Sequence, residues 1–201
     1  MMRRQTEINY EMKLLSSLEK VFQDETPVYR PECLVLSALW DETVSFQAAY
    51  TGDCFMRERL EVRVVSELEK WVRVRTVEQV PVGRATNVIV DDNYLKTTPG
   101  MYPDLLRDLP EDHKVIVCSH QWRSLWVDVE VTEEIPAGDY EIEIQLLKEN
   151  EIVCSAKMKL HVVGVTLPKQ EIMHTEWMHA DCLADYYHVE VFSEEHWQIL
   201  E

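Results

Sequence analysis

The feature that most constrains this chain is a strict apolar-polar alternation in its second half. In "GDYEIEIQLL", Tyr140, Ile142, Ile144 and Leu146 fall on one side of an extended chain, and Glu141, Glu143 and Gln145 on the other. The next run repeats the pattern, with Ile152, Cys154, Ala156, Met158, Leu160 and Val162 on the apolar side and Lys157, Lys159 and His161 opposite. Wound as a helix, such a run would scatter its apolar residues around the axis; extended, it has one dry face and one wet face. "KENE" between the two runs reads as a hairpin turn, and Pro136-Ala137-Gly138 as a tight turn into the Tyr140 strand. The same period runs through "VSFQAAYTG", "RLEVRVVSE", "WVRVRTV" and "SLWVDVEVT". Short one-sided strands separated by turns predict a mainly β chain, with an antiparallel β-sandwich (immunoglobulin- or jelly-roll-like) over residues 27–165. At 201 residues and 46% hydrophobic content, the chain has enough apolar surface for such a core.

The flanks read differently. Ile8, Met12, Leu15, Leu18 and Phe22 recur at helical spacing, which predicts an N-terminal amphipathic helix within residues 1–26, ending before Pro27. "DDNYLKTTPGMYPDLLRDLPEDH" reads as one long irregular stretch, of the kind that is functional or packed over a neighbour. After "GVTLPKQ" the pattern changes again: Leu167-Pro168 reads as a linker and "EIMHTEW" as a strand. Ser193 is a helix N-cap, with Glu194 and Glu195 in the positive first turn. Residues 166–201 are therefore expected to be a linker followed by the first strand and helix start of a second, α/β domain.

Charge and cysteine usage remove several function classes. A net charge of −17 without a basic stripe argues against a nucleic-acid partner, since binding phosphates requires clustered Lys and Arg. The five cysteines, Cys33, Cys54, Cys118, Cys154 and Cys182, are odd in number and never form a CxxC pair. Cys33, Cys118 and Cys154 lie in apolar strand-like runs, where a reduced thiol behaves as a small hydrophobe, so a reducing, cytoplasmic setting is expected. The N-terminus has charges throughout and lacks the apolar stretch of a signal peptide, and no run is long enough to span a membrane. No membrane partner and no cofactor are expected.

"ETVSFQAAY", "PGMYPDLL", "QWRSLWVDVEV", "IPAGDYEIEIQL" and the closing "LPKQEIMHTEWMHADCLADYYHVEVFSEEHWQIL" occur here in order. Together they resemble a bacterial family of uncharacterised proteins related to glycoside hydrolase family 123, over nearly all of the chain from about Cys33. In that family an N-terminal sandwich carries phrases like the first four, and a (β/α)8 barrel begins with a phrase like the last. The resemblance implies a hydrolase of N-acetylhexosamine-containing glycans working by substrate-assisted retention. The substrate's own acetamido oxygen is the nucleophile, and an Asp-Glu pair on a later barrel strand orients it and acts as general acid/base. A whole barrel needs about 250 residues, so this sequence reads as truncated at the first barrel helix, and the acidic pair has no counterpart in it. By this reading the chain is a non-catalytic N-terminal module that does not act alone, and its glycan is met through the missing barrel.

The candidate sites follow from that frame. Adjacent acids occur at Asp24-Glu25, Asp41-Glu42, Asp91-Asp92, Glu133-Glu134 and Glu194-Glu195. A catalytic pair needs a defined separation and one pKa raised by burial, whereas these pairs read as solvated turns and a helix start. No catalytic residue is assigned. His174, His179, Cys182 and His188 match no metal-binding spacing, so no metal site is assigned. Trp177, His179 and Asp181 lie at or just past the end of the expected barrel strand, the face on which barrel active sites are built. They are the substrate-binding candidates: Trp stacks on a sugar ring, while Asp and His bind hydroxyls. The alternative is that Trp177 packs the barrel mouth and Asp181 caps a turn. The sandwich aromatics Trp40, Trp71, Trp122, Trp126, Tyr94 and Tyr102 could form a carbohydrate platform or a docking surface, and docking is preferred. The rival to the hydrolase reading is a stand-alone carbohydrate-binding or structural interaction sandwich.

Overall fold

A computed structural model of the chain describes residues 8–28, 35–86, 93–169, 171–173, 175 and 177–201. Along the chain run the strands β1 (Tyr10–Ser16), β2 (Val35–Trp40), β3 (Glu42–Gly52), β4 (Glu58–Val65), β5 (Val72–Val82), β6 (Gly100–Asp108), β7 (Lys114–Val117), β8 (Arg123–Val131), β9 (Gly138–Lys148) and β10 (Glu151–Thr166). The helices α1 (Ala180–Tyr187) and α2 (Glu194–Leu200) follow. Two five-stranded sheets form, in the orders β1-β3-β8-β5-β6 and β2-β10-β9-β4-β7. The chain divides into compact units Met1–Leu167 and Pro168–Glu201.

The alternation decides which side of each strand is dry. Phe46 and Ala48 on β3, Leu125, Val127 and Val129 on β8, and Ile142, Ile144 and Leu146 on β9 have no exposed surface. Met158, Leu160 and Val162 on β10 join them in one core between the sheets. Each large side chain buried there contributes about 1.5–3 kcal/mol. The β9–β10 hairpin turns on Glu149 (φ 53°) and Asn150 (φ 69°), with Lys148 paired to Glu151. Two successive left-handed residues make the type I′ turn that matches strand twist. A bulge between Ile152 and Cys154 then shifts the register, and Ile152, expected inward, is 54% exposed.

Four expectations are corrected. The N-terminal helix is absent from the described residues: Tyr10–Ser16 pairs antiparallel with β3 from Gly52 to Phe46. Tyr10, Met12 and Leu14 face the main core at strand spacing, whereas Leu18, part of the supposed helical stripe, is 88% exposed. The sandwich is not wholly antiparallel, because β2 runs parallel to β10. The stretch expected to be irregular contains β6, an edge strand paired to β5. Pro103 has no N–H to give to a ladder, which an edge strand tolerates. No described residue of "EIMHTEW" is in a strand; the N-capped helix after it is present as expected, as α2.

The sandwich aromatics are mostly used inside the unit. Trp40 donates its indole N–H to the Ile135 carbonyl at 2.8 Å. Trp71 packs against the main core with Lys70 Nζ 4.0 Å above its ring. Trp122 forms a second cluster with Leu15, Val21 and Ala49, and Phe22 meets Tyr102 edge-on at 5.4 Å. Trp126 donates to Asp128 at 2.7 Å on the outer face of its sheet. Cys54, Cys118, Cys154 and Cys182 are free thiols, and burial pushes the Cys154 thiol up to about 12. Cys33 lies outside the described residues. Among the described residues, no helix is long and apolar enough to cross a membrane.

Candidate functional site

The binding candidates lie in the Pro168–Glu201 unit, around the start of α1. His179 occupies the N-cap position of α1 but makes no side-chain capping bond, and Asp181 sits in the first turn, where its charge suits the helix dipole. His179 Nδ1 lies 3.9 Å from Asp181 Oδ1, with the two side chains 92% and 65% exposed. Such a contact adds little stability in water, so both groups remain available to a ligand. Trp177 is wholly exposed and makes no ring contact or hydrogen bond among the described residues. The structure thus brings His179 and Asp181 together and leaves the Trp177 indole open nearby in sequence.

What holds this segment is a residue the sequence did not single out. His196, on α2, has no exposed surface. Its Nδ1 accepts the Phe192 N–H at 2.8 Å, which leaves Nε2 to donate to the Ala180 carbonyl, also at 2.8 Å. One imidazole therefore ties the start of α2 to the start of α1. Ser193 Oγ accepts the His196 N–H at 3.2 Å as the N-cap of α2, while Glu194 and Glu195 occupy its first turn. His188 ends α1 in the left-handed region at φ 58°. Phe192 stacks on Trp197 at 5.7 Å, and Tyr186 meets Tyr187 edge-on at 5.0 Å. A lone buried His carries no spacing signal, which is why the sequence concealed it.

Chemically, Trp177, His179 and Asp181 can stack a ring and accept or donate hydrogen bonds, but none of the three is an enclosed proton-transfer group. A general acid at neutral pH needs burial, and Asp181 is well exposed. The described acid pairs have ordinary structural partners. Asp24 and Glu25 both hold Lys96 Nζ, at 2.8 and 3.0 Å. Asp41 sits in a left-handed turn, and Glu42 accepts the Leu39 N–H at 2.9 Å. Glu133 accepts from Thr166 and Glu134 from Lys70, each at 2.8 Å. Asp91-Asp92 lies outside the described residues. No three His, Cys, Asp or Glu side chains gather as a metal site among the described residues; of the four weighed for one, His174 lies outside them. A groove of about 770 Å³ is lined by Arg63–Glu67, Glu69 and Asp139–Glu141 of the sandwich.

Residues 177–201 match the family model of the glycoside hydrolase 123 catalytic domain. No curated protein matches the sequence. Among solved structures, a family 123 glycoside hydrolase from Clostridium perfringens, studied for glycolipid glycan hydrolysis, aligns at 12% identity and TM-score 0.69 over 96% of this chain. The chain spans 35% of that enzyme's length. At that identity the likeness is one of fold. The N-terminal domain of PorA (7% identity, 77% of this chain and 99% of that one, TM-score 0.35) is too distant to carry an argument. So is AvmM, described as catalysing macrocyclization in alchivemycin A biosynthesis (11% identity, 82% and 93%, TM-score 0.40).

Proposed function

We propose that this chain is the front part of a glycoside-hydrolase-related protein acting on N-acetylhexosamine-containing glycans. Its sandwich is a non-catalytic module, and the segment from Pro168 opens a (β/α)8 barrel. The observation that carries the reading is the match of residues 177–201 to a glycoside hydrolase catalytic domain, on the same segment that holds Trp177, His179 and Asp181. The fold likeness to a family 123 enzyme over 96% of the chain supports it. In this reading Trp177 stacks on a sugar ring and His179 and Asp181 bind its hydroxyls, while the acid/base pair is supplied by later barrel strands.

A titration with N-acetylgalactosamine and N-acetylglucosamine, followed by the backbone amide resonances of residues 177–201, tests the binding roles. The expected result is a saturable shift that Trp177→Ala abolishes and Asp181→Asn weakens about tenfold, the scale of one hydrogen bond to a charged group. A sandwich that binds glycans by itself would instead show shifts confined to residues before Leu167, and the stand-alone binding module would replace this reading.

A further inference from the structure

The period-two rule that places the core fails at one end of it. On β5 the inward positions read Val72, Val74, Thr76, Glu78, and on β8 they read Arg123, Leu125, Val127, Val129. Thr76 pairs with Arg107 on β6, which puts that arginine beside them. Polar and charged side chains facing between two sheets cost free energy unless something satisfies them. Here they line a cleft of about 380 Å³ between the β5–β6 edge of one sheet and the β4–β7 edge of the other. Buried Tyr50 also lines it, as does Lys114.

The charges in the cleft are unevenly matched. Arg59 is paired with Asp112 at 2.8 Å, and Asp108 with Arg73 at 2.7 Å. Arg107, Lys114 and Arg123 make no ion pair among the described residues. The Arg123 Nε is buried without a hydrogen-bond partner, and its guanidinium otherwise reaches only Cys118 Sγ, at 3.9 Å. Against these three cations stands Glu78, whose Oε1 accepts the Thr76 hydroxyl at 2.8 Å. A local excess of positive charge in a chain of net charge −17 is a strong departure from the rest of its surface.

We infer that this cleft binds a small hydroxy-carboxylate, of the class of an acidic monosaccharide. Arg123, within the cleft, and the exposed Arg107 and Lys114 receive the carboxylate. Glu78 and Thr76 take the neighbouring hydroxyls, for which a carboxylate acceptor is suited and a second anion is not. The inference concerns the sandwich alone and does not depend on the hydrolase reading.

Calorimetric and NMR titrations of the full chain with glucuronate, glucose and sulfate test it. Glucuronate is expected to saturate the cleft, with glucose and sulfate at least about tenfold weaker because each lacks one half of the recognised chemistry. Arg123→Gln should cost at least about tenfold in affinity and Arg107→Gln, at an exposed position, about three- to fivefold. Lys157→Gln, on β10 and paired with Glu141 away from the cleft, should bind as the parent does. Absence of saturable glucuronate binding, equal binding of sulfate, or unchanged affinity in both arginine variants would overturn the inference. Chemical shifts of residues remote from the cleft report whether each variant is folded.

Discussion

Tyr10→Phe removes one oxygen atom and should reveal how the N-terminal strand is fastened. Tyr10 on β1 donates to Glu58 Oε2 on β4 at 2.5 Å, and Lys148 on β9 donates to the same oxygen at 2.8 Å. The three side chains link an edge strand of one sheet to two strands of the other. Burial on its own would raise the Glu58 carboxyl, but the bonds from Lys148 and Tyr10 outweigh it and hold the group below its ordinary 4.5. Burial first, and then the Glu58 carboxylate, push the Tyr10 phenol far up, so it stays protonated as a donor. A hydrogen bond to a charged group is worth about 1.5–3 kcal/mol. The site is partly solvated and Lys148 remains, so the lower end applies, about 1.5 kcal/mol. For a domain of this size that is roughly 3–6 °C in melting temperature. Because the folded-state pKa of Glu58 is depressed, its bonds stabilise the fold fully above the unfolded-state value, and this contribution is lost as pH falls through the lower folded value. Urea melts of the parent and Tyr10→Phe should therefore differ by about 1.5 kcal/mol at pH 7, and by less at an acid pH below the folded-state Glu58 value. An equal difference at both pH values, or none at pH 7, would refute the cross-sheet link.

Glu149→Gly relieves a left-handed non-glycine residue in the β9–β10 turn, and should stabilise the chain by about 0.5–1 kcal/mol in the same melts. Gly52→Ala places a Cβ 2.9 Å from Tyr10 Cδ1 and 3.2 Å from Val117 Cγ1. It should destabilise the chain at least as much as Tyr10→Phe, by about 1.5 kcal/mol or more on an overpacking scale. Ending the chain after Leu167 should leave the sandwich with its melting midpoint unchanged and make it more soluble, since Trp177, Met178 and Phe192 are exposed; size-exclusion runs and thermal melts check both.

The middle of the fold was legible because burial there repeats with the chain's own period. Ile142, Ile144, Leu146, Met158 and Leu160 needed no tertiary information to be placed inward. The first strand was not legible, because residues 8–22 satisfy both a helical and an extended pattern. Pairing with β3, a partner distant in sequence, decides between them. The same holds for β6, whose Pro103 reads as a strand breaker until the strand is known to lie at an edge. At the candidate site, Trp177, His179 and Asp181 could be named from the sequence, but the burial of His196 between two helix starts could not. The polar end of the core was visible in principle, as the change from Val72 and Val74 to Thr76 and Glu78. Only the second sheet turns that change into a cleft.

The most direct test of the central claim is the turnover of a chromogenic N-acetylgalactosaminide by this chain, purified to homogeneity. No hydrolysis above the uncatalysed rate is expected, because general acid/base transfer supplies factors of about 10²–10⁴ and no enclosed carboxyl pair is present among the described residues to provide it. Turnover that survives purification and is lost with Asp181→Asn would contradict that claim.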